Sequence, residues 1–266
     1  METFIEDPDD PRVAVFLGLR DQEARKVREQ PGGNLHSSFI AEGDLVIERG
    51  VRHGYPLRSV LISSRRTKDL PPSWDDAEVF RASDEVLIEV TGRPELRDPI
   101  AQFDRPPLPE SHGLLRAHCS FAVLENINNP NNMGVIMRNA AALGVGAVLL
   151  DPTCSDPLYR RAIRASMGQV FAIPHARMGP LEESLAVLHG HDIVTIALSP
   201  TGETELSDIA LEPTQKVAVL LGAEGPGLTD AALDGANIRA KITMSNDVDS
   251  LNVANAAAIA FYLLRH

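Results

Sequence analysis

Residues 245–266 read "SNDVDSLNVANAAAIAFYLLRH", mostly polar at first and almost wholly apolar from Val253 to Leu264. Asp249 or Ser250 is placed to cap a helix, because short oxygen-bearing side chains accept from the free N–H groups of a first turn. Leu251 then opens the buried face, and Asn252 falls within that first turn. Beyond it, alanine, isoleucine, phenylalanine and leucine take nearly every side of the helix, which implies burial on most sides. A terminal helix docked on the outside of a sheet would keep a polar stripe.

Working outward, the preceding half of the chain alternates short apolar runs with helical patterns. "SFAVLENI" (120–127), "VGAVLL" (145–150), "DIVTIAL" (192–198) and "KVAVLLG" (216–222) read as strands, and "VIMRNAAALG" (135–144) as a helix closed by Gly144. This rhythm indicates an α/β domain whose parallel sheet is covered on both faces. Ligands of such sheets bind at loops beyond the carboxyl ends of strands. Upstream, "RPPLPESHG" (105–113) carries three prolines and reads as an extended linker. Before it, "FIAEGDLVIERGVRHGYP" (39–56) has helical spacing, "SVLISS" (59–64) is a strand, and "SDEVLIEVTG" (83–92) is a helix capped by Ser83. This first segment is also α/β, with nothing of an active site in it.

The chain has 266 residues, 44% of them apolar and 23% charged, as expected of a globular protein. Its formal charge of −12 argues against nucleic-acid binding through a global positive field and leaves room for a local basic patch. The acidic "METFIEDPDDPR" lacks a signal peptide's basic start and apolar run, and no apolar stretch is long enough for a bilayer. Cys119 and Cys154 are the only cysteines and have no metal-ligand spacing. No metal, no membrane and a cytoplasmic setting are the expectations.

Three polar loops fall at strand ends. In "NNPNNMGVIMRNAAALG" (128–144), Asn132 is placed to cap the helix, Gly134 permits close backbone approach, and Arg138 lies one turn inside. Alone, Arg138 reads equally as a surface arginine. "VAVLLGAEGPGLTD" (217–230) runs from a strand into a glycine-rich turn, but it is no phosphate cradle. It has neither GxGxxG nor GKS/GKT, and Glu224 puts a carboxylate where phosphate would go. Such a turn suits a ligand that is neutral or cationic near Glu224; the plain alternative is a tight turn capped at Thr229. The third loop is the polar stretch before the last helix. Separately, "DPLYRRAIRASMGQVF" (156–171) groups Arg160, Arg161 and Arg164, either a solvated face or a contact for a phosphate backbone.

In this order, "NNPNNMGVIMRNAAALG", "LLGAEGPGL" (220–228) and "ITMSNDVDSLNVANAAAIAF" (242–261) resemble the three motifs of the SpoU (TrmH-like) RNA ribose 2′-O-methyltransferases, of the SPOUT class. The likeness runs from about Phe121 to the C-terminus, and "RASMG" (164–168) fits it too. It implies a methyltransferase domain over 117–266 with a deep C-terminal trefoil knot. It also implies a linker over 107–116 and, more weakly, a smaller ribosomal-protein-like α/β domain over 1–106 that binds the RNA substrate.

What the resemblance implies for chemistry is specific. The cofactor is S-adenosylmethionine, met by Gly222, Ile242 and Leu251, with Leu198 as a wall of the pocket. Arg138 matches the essential arginine. A guanidinium stays protonated in proteins, so Arg138 is expected to bind the adjacent phosphate and stabilise the developing alkoxide rather than act as a base. Asn132 orients the arginine or the substrate, Glu224 orders the glycine loop, and Ser250 with Asn252 positions the ribose. Ala254 stands where many relatives carry serine. Family members are generally homodimers with the active site at the subunit interface. Arg160, Arg161 and Arg164, with Arg65 and Arg66, are the expected RNA contacts, and ribosomal RNA is the favoured substrate over transfer RNA. The alternatives are a non-catalytic RNA-binding protein of the same fold and a nucleotide-dependent enzyme on an ordinary doubly wound sheet.

Overall fold

The computed structural model describes residues 2–19, 37–92, 99–246 and 248–264. They fall into two compact units, the first drawn from residues up to Pro107 together with Leu158–Phe171. The second comprises Leu108–Pro157 and the residues from Ala172 onward.

The first unit opens with β1 (Glu2–Ile5) and a 3-10 segment at Pro11–Phe16. It continues through β2 (Ser38–Glu42), α1 (Asp44–Arg52), β3 (Leu57–Ser63), β4 (Glu78–Ala82), α2 (Asp84–Thr91) and β5 (Ile100–Asp104). The strands order as β1-β4-β3-β5-β2, with β1, β4 and β3 parallel and both pairings of β5 antiparallel. The stretch read as helical from Phe39 divides in two. Phe39 to Glu42 pair with β5, and Gly43, at φ 90°, turns the chain into α1. Its positive φ belongs to a residue without Cβ, and that break was hidden inside the apolar spacing. Ser83 caps α2 by accepting from the Val86 N–H, and Gly92 closes it in the left-handed region.

In the second unit the proline-rich segment gives way to helix sooner than expected. Its last proline is Pro109, and α3 (Ser111–Ala117) begins two residues later. Then come β6 (Ser120–Leu124), α4 (Pro130–Leu143) and β7 (Ala147–Leu150). The chain next contributes α5 (Arg160–Ala165) to the first unit before resuming with β8 (His175–Arg177). The remainder is α6 (Leu181–Gly190), β9 (Ile193–Leu198), β10 (Thr204–Glu205), β11 (Lys216–Leu221), α7 (Asp230–Gly235), β12 (Ile238–Lys241) and α8 (Val253–Leu263). The seven strands order as β10-β12-β9-β11-β6-β7-β8, and every pairing is parallel. Residues of β6, β7 and β11 are buried on both faces, which explains their uninterrupted apolar runs.

Within the span expected for one domain, 117–266, the segment Leu158–Phe171 groups with the first unit. Leu158–Phe171 belongs to the first unit because its apolar side chains are at home there. The Phe171 ring lies 4.9 Å from Tyr55 and 5.7 Å from Phe39, and Phe39 stacks on Phe103 at 5.3 Å. Aromatic pairs at such separations add to the area they bury.

The terminal helix also departs from expectation. Asn252 is its N-cap, and the buried face is Val253, Ala254, Ala257, Ala260 and Phe261. Leu251, Ile259, Tyr262 and Leu263 are exposed, so within one chain the helix keeps an open apolar stripe. Its buried side packs on α4 and β11. Among the described residues no helix is long and apolar enough to cross a membrane.

Candidate active site

Loops beyond the carboxyl ends of β9, β11 and β12 enclose a cavity of about 440 Å³, within the ~300–1,000 Å³ usual for small-molecule sites. Leu198 ends β9, Gly222 follows β11, Ile242 follows β12 and Leu251 precedes α8; all four line it. Glu224, Ser250 and Asn252 line it as well. Seven residues named from the sequence thus meet around one space, drawn from positions 198 to 252.

The glycine turn explains itself sterically. A Cβ on Gly222 would come within 2.2 Å of the Gly227 carbonyl carbon and the Leu228 nitrogen, far inside contact distance. Gly225 and Gly227 have φ of 89° and 75°, in the region L side chains avoid. The Gly227 N–H donates to the Ala223 carbonyl at 3.0 Å, closing the turn on itself. The resulting wall is backbone, with Glu224 projecting from it and exposed.

A hydrogen-bonded cluster joins the three motifs. The Asn252 Nδ2 donates to Asn132 Oδ1 at 3.1 Å and to Glu224 Oε1, while its Oδ1 accepts from the Ala254 N–H at 2.9 Å. Asn252 therefore caps α8 and bridges the first two motifs at once. Asn132 is buried inside the first turn of α4 rather than capping it. Asn129 is the cap, with Pro130 at the first helical position. Proline there needs no N–H, which moves the helix start three residues earlier than read. Two turns on from Asn132, Asn139 Nδ2 donates to the Ala254 carbonyl at 2.8 Å and fixes α8 against α4.

Arg138 is exposed on α4 and, among the described residues, makes no hydrogen bond or ion pair; it does not line the cavity. Asn132, six residues earlier, bonds Asn252.

The arginine trio divides. Arg160 is buried in the first unit, ion-paired with Glu42 and donating to the Leu19 carbonyl at 2.9 Å. Its guanidinium is thereby engaged within the first unit. Arg161 is half-buried and Arg164 exposed. Arg66 is likewise committed, 4% exposed and paired with Asp44 at 2.7 Å, while Arg65 is 75% exposed and meets Asp84 at 3.1 Å.

Several positioning contacts had no sequence expectation attached. Glu125, one residue past β6 and 7% exposed, accepts from Thr229 twice: from its N–H at 2.8 Å and its hydroxyl at 3.0 Å. The signal was a carboxylate ending an apolar strand. Glu205 accepts from the Thr243 N–H at 3.3 Å and from its hydroxyl, bracing the wall between Ile242 and Met244. The Thr243 hydrogen bond holds the Glu205 carboxyl below its usual range. Cys154 donates to the Leu124 carbonyl and accepts from the Ile127 N–H, both at 3.3 Å, and burial pushes its thiol up to about 12. Among the described residues no group of three or more His, Cys, Asp or Glu could hold a metal ion.

With this geometry in hand, the profile of the SpoU rRNA Methylase family matches residues 120–262. An uncharacterized tRNA/rRNA methyltransferase of Mycobacterium tuberculosis is 39% identical over 260 residues, 96% of this chain and 89% of that protein. A 23S rRNA (guanosine-2′-O-)-methyltransferase of Xylella fastidiosa is 30% identical over 191 residues, 70% of this chain and 76% of the relative. Among solved structures, an AdoMet-bound rRNA methyltransferase from Sinorhizobium meliloti shares the fold with a TM-score of 0.78, at 24% identity over 98% of this chain and 96% of that one. The ordered motifs, the cavity that the second and third of them line and the match across more than half the sequence agree: the chain belongs to the SpoU rRNA methylase family.

Proposed function

We propose that this protein transfers the methyl group of S-adenosylmethionine to a ribose 2′-hydroxyl of RNA, ribosomal RNA in particular. The observation that carries the reading is the convergence of Leu198, Gly222, Ile242 and Leu251 on one cavity whose rim bears Glu224, Ser250 and Asn252. The residues fit the cofactor. Apolar side chains and bare backbone suit an adenosyl group, the absent Cβ at Gly222 lets the turn close on Gly227 and Leu228, and the exposed Glu224 carboxylate is compatible with a sulfonium charge. Two relatives named as 23S rRNA 2′-O-methyltransferases support the substrate class.

S-adenosylmethionine supplies an electrophilic methyl group on sulfonium. The chain's own residues do the rest. Ser250 and Asn252 hold the ribose at the cavity mouth, and Asn132 and Glu224 fix Asn252 from two sides so that its amide points one way. Arg138 binds the neighbouring RNA phosphate and stabilises the alkoxide that develops as the hydroxyl proton passes to that phosphate, because a preorganised cation acts where charge develops. Arg161 and Arg164 carry the RNA backbone, with Arg65 as a further contact.

Arg138 lies outside the cavity lining of its own chain, and Leu251, Ile259, Tyr262 and Leu263 leave an apolar stripe open beside α4. Both features support a homodimer in which Arg138 of one copy serves the cavity of the other. The finer fold reading is a trefoil knot, with the segment from Ile242 onward tucked through a preceding loop to bring α8 onto α4 and β11. Support comes from the strand order, in which β12 lies between β10 and β9 while α8 returns to the middle of the sheet. The test is incubation with methyl-labelled S-adenosylmethionine and RNA from a strain lacking the gene. Label recovered as 2′-O-methylnucleotide supports the reading, and label on a base or no transfer opposes it.

A further inference from the structure

Glu125 lies outside the cavity lining, yet it holds both ends of the loop that forms the cavity floor. Its backbone N–H donates to the Leu221 carbonyl at 2.9 Å, one residue before Gly222. Its carboxylate takes the Thr229 N–H at 2.8 Å and the Thr229 hydroxyl at 3.0 Å, one residue past Leu228. The same hydroxyl accepts from the Ala232 N–H at 3.2 Å, so its rotor is fixed by two partners. Between those anchors run Gly222, Ala223, Glu224, Gly225 and Gly227, all at the cavity.

A loop with three glycines has ample freedom when unliganded, and ordering it costs entropy that binding would otherwise have to meet. A carboxylate buried to 7% exposure is a poor packing residue, since burial disfavours its charge unless partners compensate. Here the partners are the Thr229 donors, and the bond they form spans 104 positions of chain, from the end of β6 to the start of α7. A hydrophobic side chain would fill the same volume without tying the two strand ends together.

We infer that Glu125 is a positioning residue for the methyl donor, a strut that presets the width of the glycine loop and acts through Thr229. The inference rests on the reading that the cavity holds S-adenosylmethionine. Because Glu125 touches the loop's ends rather than Asn132 or Asn252, its effect falls on cofactor affinity and leaves the transfer step alone.

The experiment uses the full chain and four variants: Glu125→Gln, Thr229→Ser, Thr229→Val and the double variant Glu125→Gln with Thr229→Val. S-adenosylmethionine affinity is read by calorimetry, and kcat and KM by methyl transfer. Glu125→Gln weakens cofactor binding about tenfold and raises its KM in parallel, while kcat at saturation stays within about threefold, as lost preorganisation requires. Thr229→Ser keeps both donors and matches the parent. Thr229→Val resembles Glu125→Gln in cofactor affinity while also losing the α7 cap, and the double variant is less than additive in affinity, since both changes remove the Glu125–Thr229 contact. Parent-like affinity in Glu125→Gln overturns the inference, as does a fall in kcat with unchanged affinity, or equal damage from Thr229→Ser and Thr229→Val. Amide exchange across 222–228 without cofactor provides a separate readout. Faster exchange in Glu125→Gln and Thr229→Val, but not in Thr229→Ser, supports the strut even if the parent binds no S-adenosylmethionine, a result that would count against the proposed function alone.

Discussion

Asn252 and Asn132 are 120 residues apart in sequence, yet the amide of one donates to the carbonyl oxygen of the other at 3.1 Å. The same amide donates to Glu224, so one side chain connects the ends of three strand–loop segments. Its carbonyl oxygen meanwhile caps α8. Position 252 therefore needs a donor and an acceptor together, which among side chains of this length only asparagine supplies.

Asn252→Asp separates the two duties. It keeps the cap acceptor and replaces the donor facing Glu224 with a second carboxylate. Stability is expected to change little, whereas methyl transfer falls about a hundredfold. Asn252→Ala also removes the cap and costs about 1 kcal/mol in addition. Thermal melts alongside single-turnover rates check both; equal activity losses with equal melting temperatures would contradict the assignment.

Arg138 has no partner among the described residues, so Arg138→Ala should shift stability by no more than roughly 0.5 kcal/mol. Its methyl-transfer rate should fall by about 10²- to 10³-fold with cofactor affinity retained. Mixing Arg138→Ala with Asn252→Asp tests sharing between copies. Mixed dimers carry one intact site, giving roughly a quarter of parental activity at random exchange. No recovery would place Arg138 and the cavity in service of the same copy.

Arg160 and Arg164 stand four positions apart with opposite forecasts. Arg160→Ala removes the ion pair from the half-buried Glu42 carboxylate and should cost roughly 1–3 kcal/mol, read from denaturant unfolding. Arg164→Ala should leave stability unchanged and weaken RNA binding, with a shallower salt dependence. The reverse pattern would assign the RNA contact to Arg160 in place of Arg164.

Thiol chemistry offers a check on the loop after β7, where Cys154 lies. Cys119 is exposed and should react quickly with a disulfide reagent at about pH 8. Cys154 is buried, its thiol pushed up to about 12, and carries too little thiolate to react until the protein unfolds. One fast equivalent and one released by denaturant is the expected titration. Two fast equivalents would mean that this loop opens readily.

Much of the site was legible because its chemistry sits in short, local patterns. Gly222, Glu224 and Asn252 each lie at the end of an apolar run, where period and polarity change together. What stayed hidden depends on distant partners. The burial of Arg160 could not be read from "RRAIR", because Glu42 and Leu19 lie more than a hundred residues upstream. Glu125 looked like the end of a strand until Thr229 came beside it. Helix starts shifted for local reasons: Pro130 drew α4 forward to Asn129, and the start of α8 fell to Asn252 in preference to Asp249 or Ser250. The open stripe on α8 was invisible to composition, since an exposed face and a face in a core can be equally apolar.

The measurement that bears most directly on the account is titration of the purified chain with S-adenosylmethionine, followed by nucleoside analysis of RNA it has modified. The account predicts saturable binding that is abolished by Gly222→Val, whose side chain would collide with Gly227 and Leu228, and a methyl group on ribose oxygen. Unimpaired binding in that variant, or methyl groups confined to bases, would contradict it.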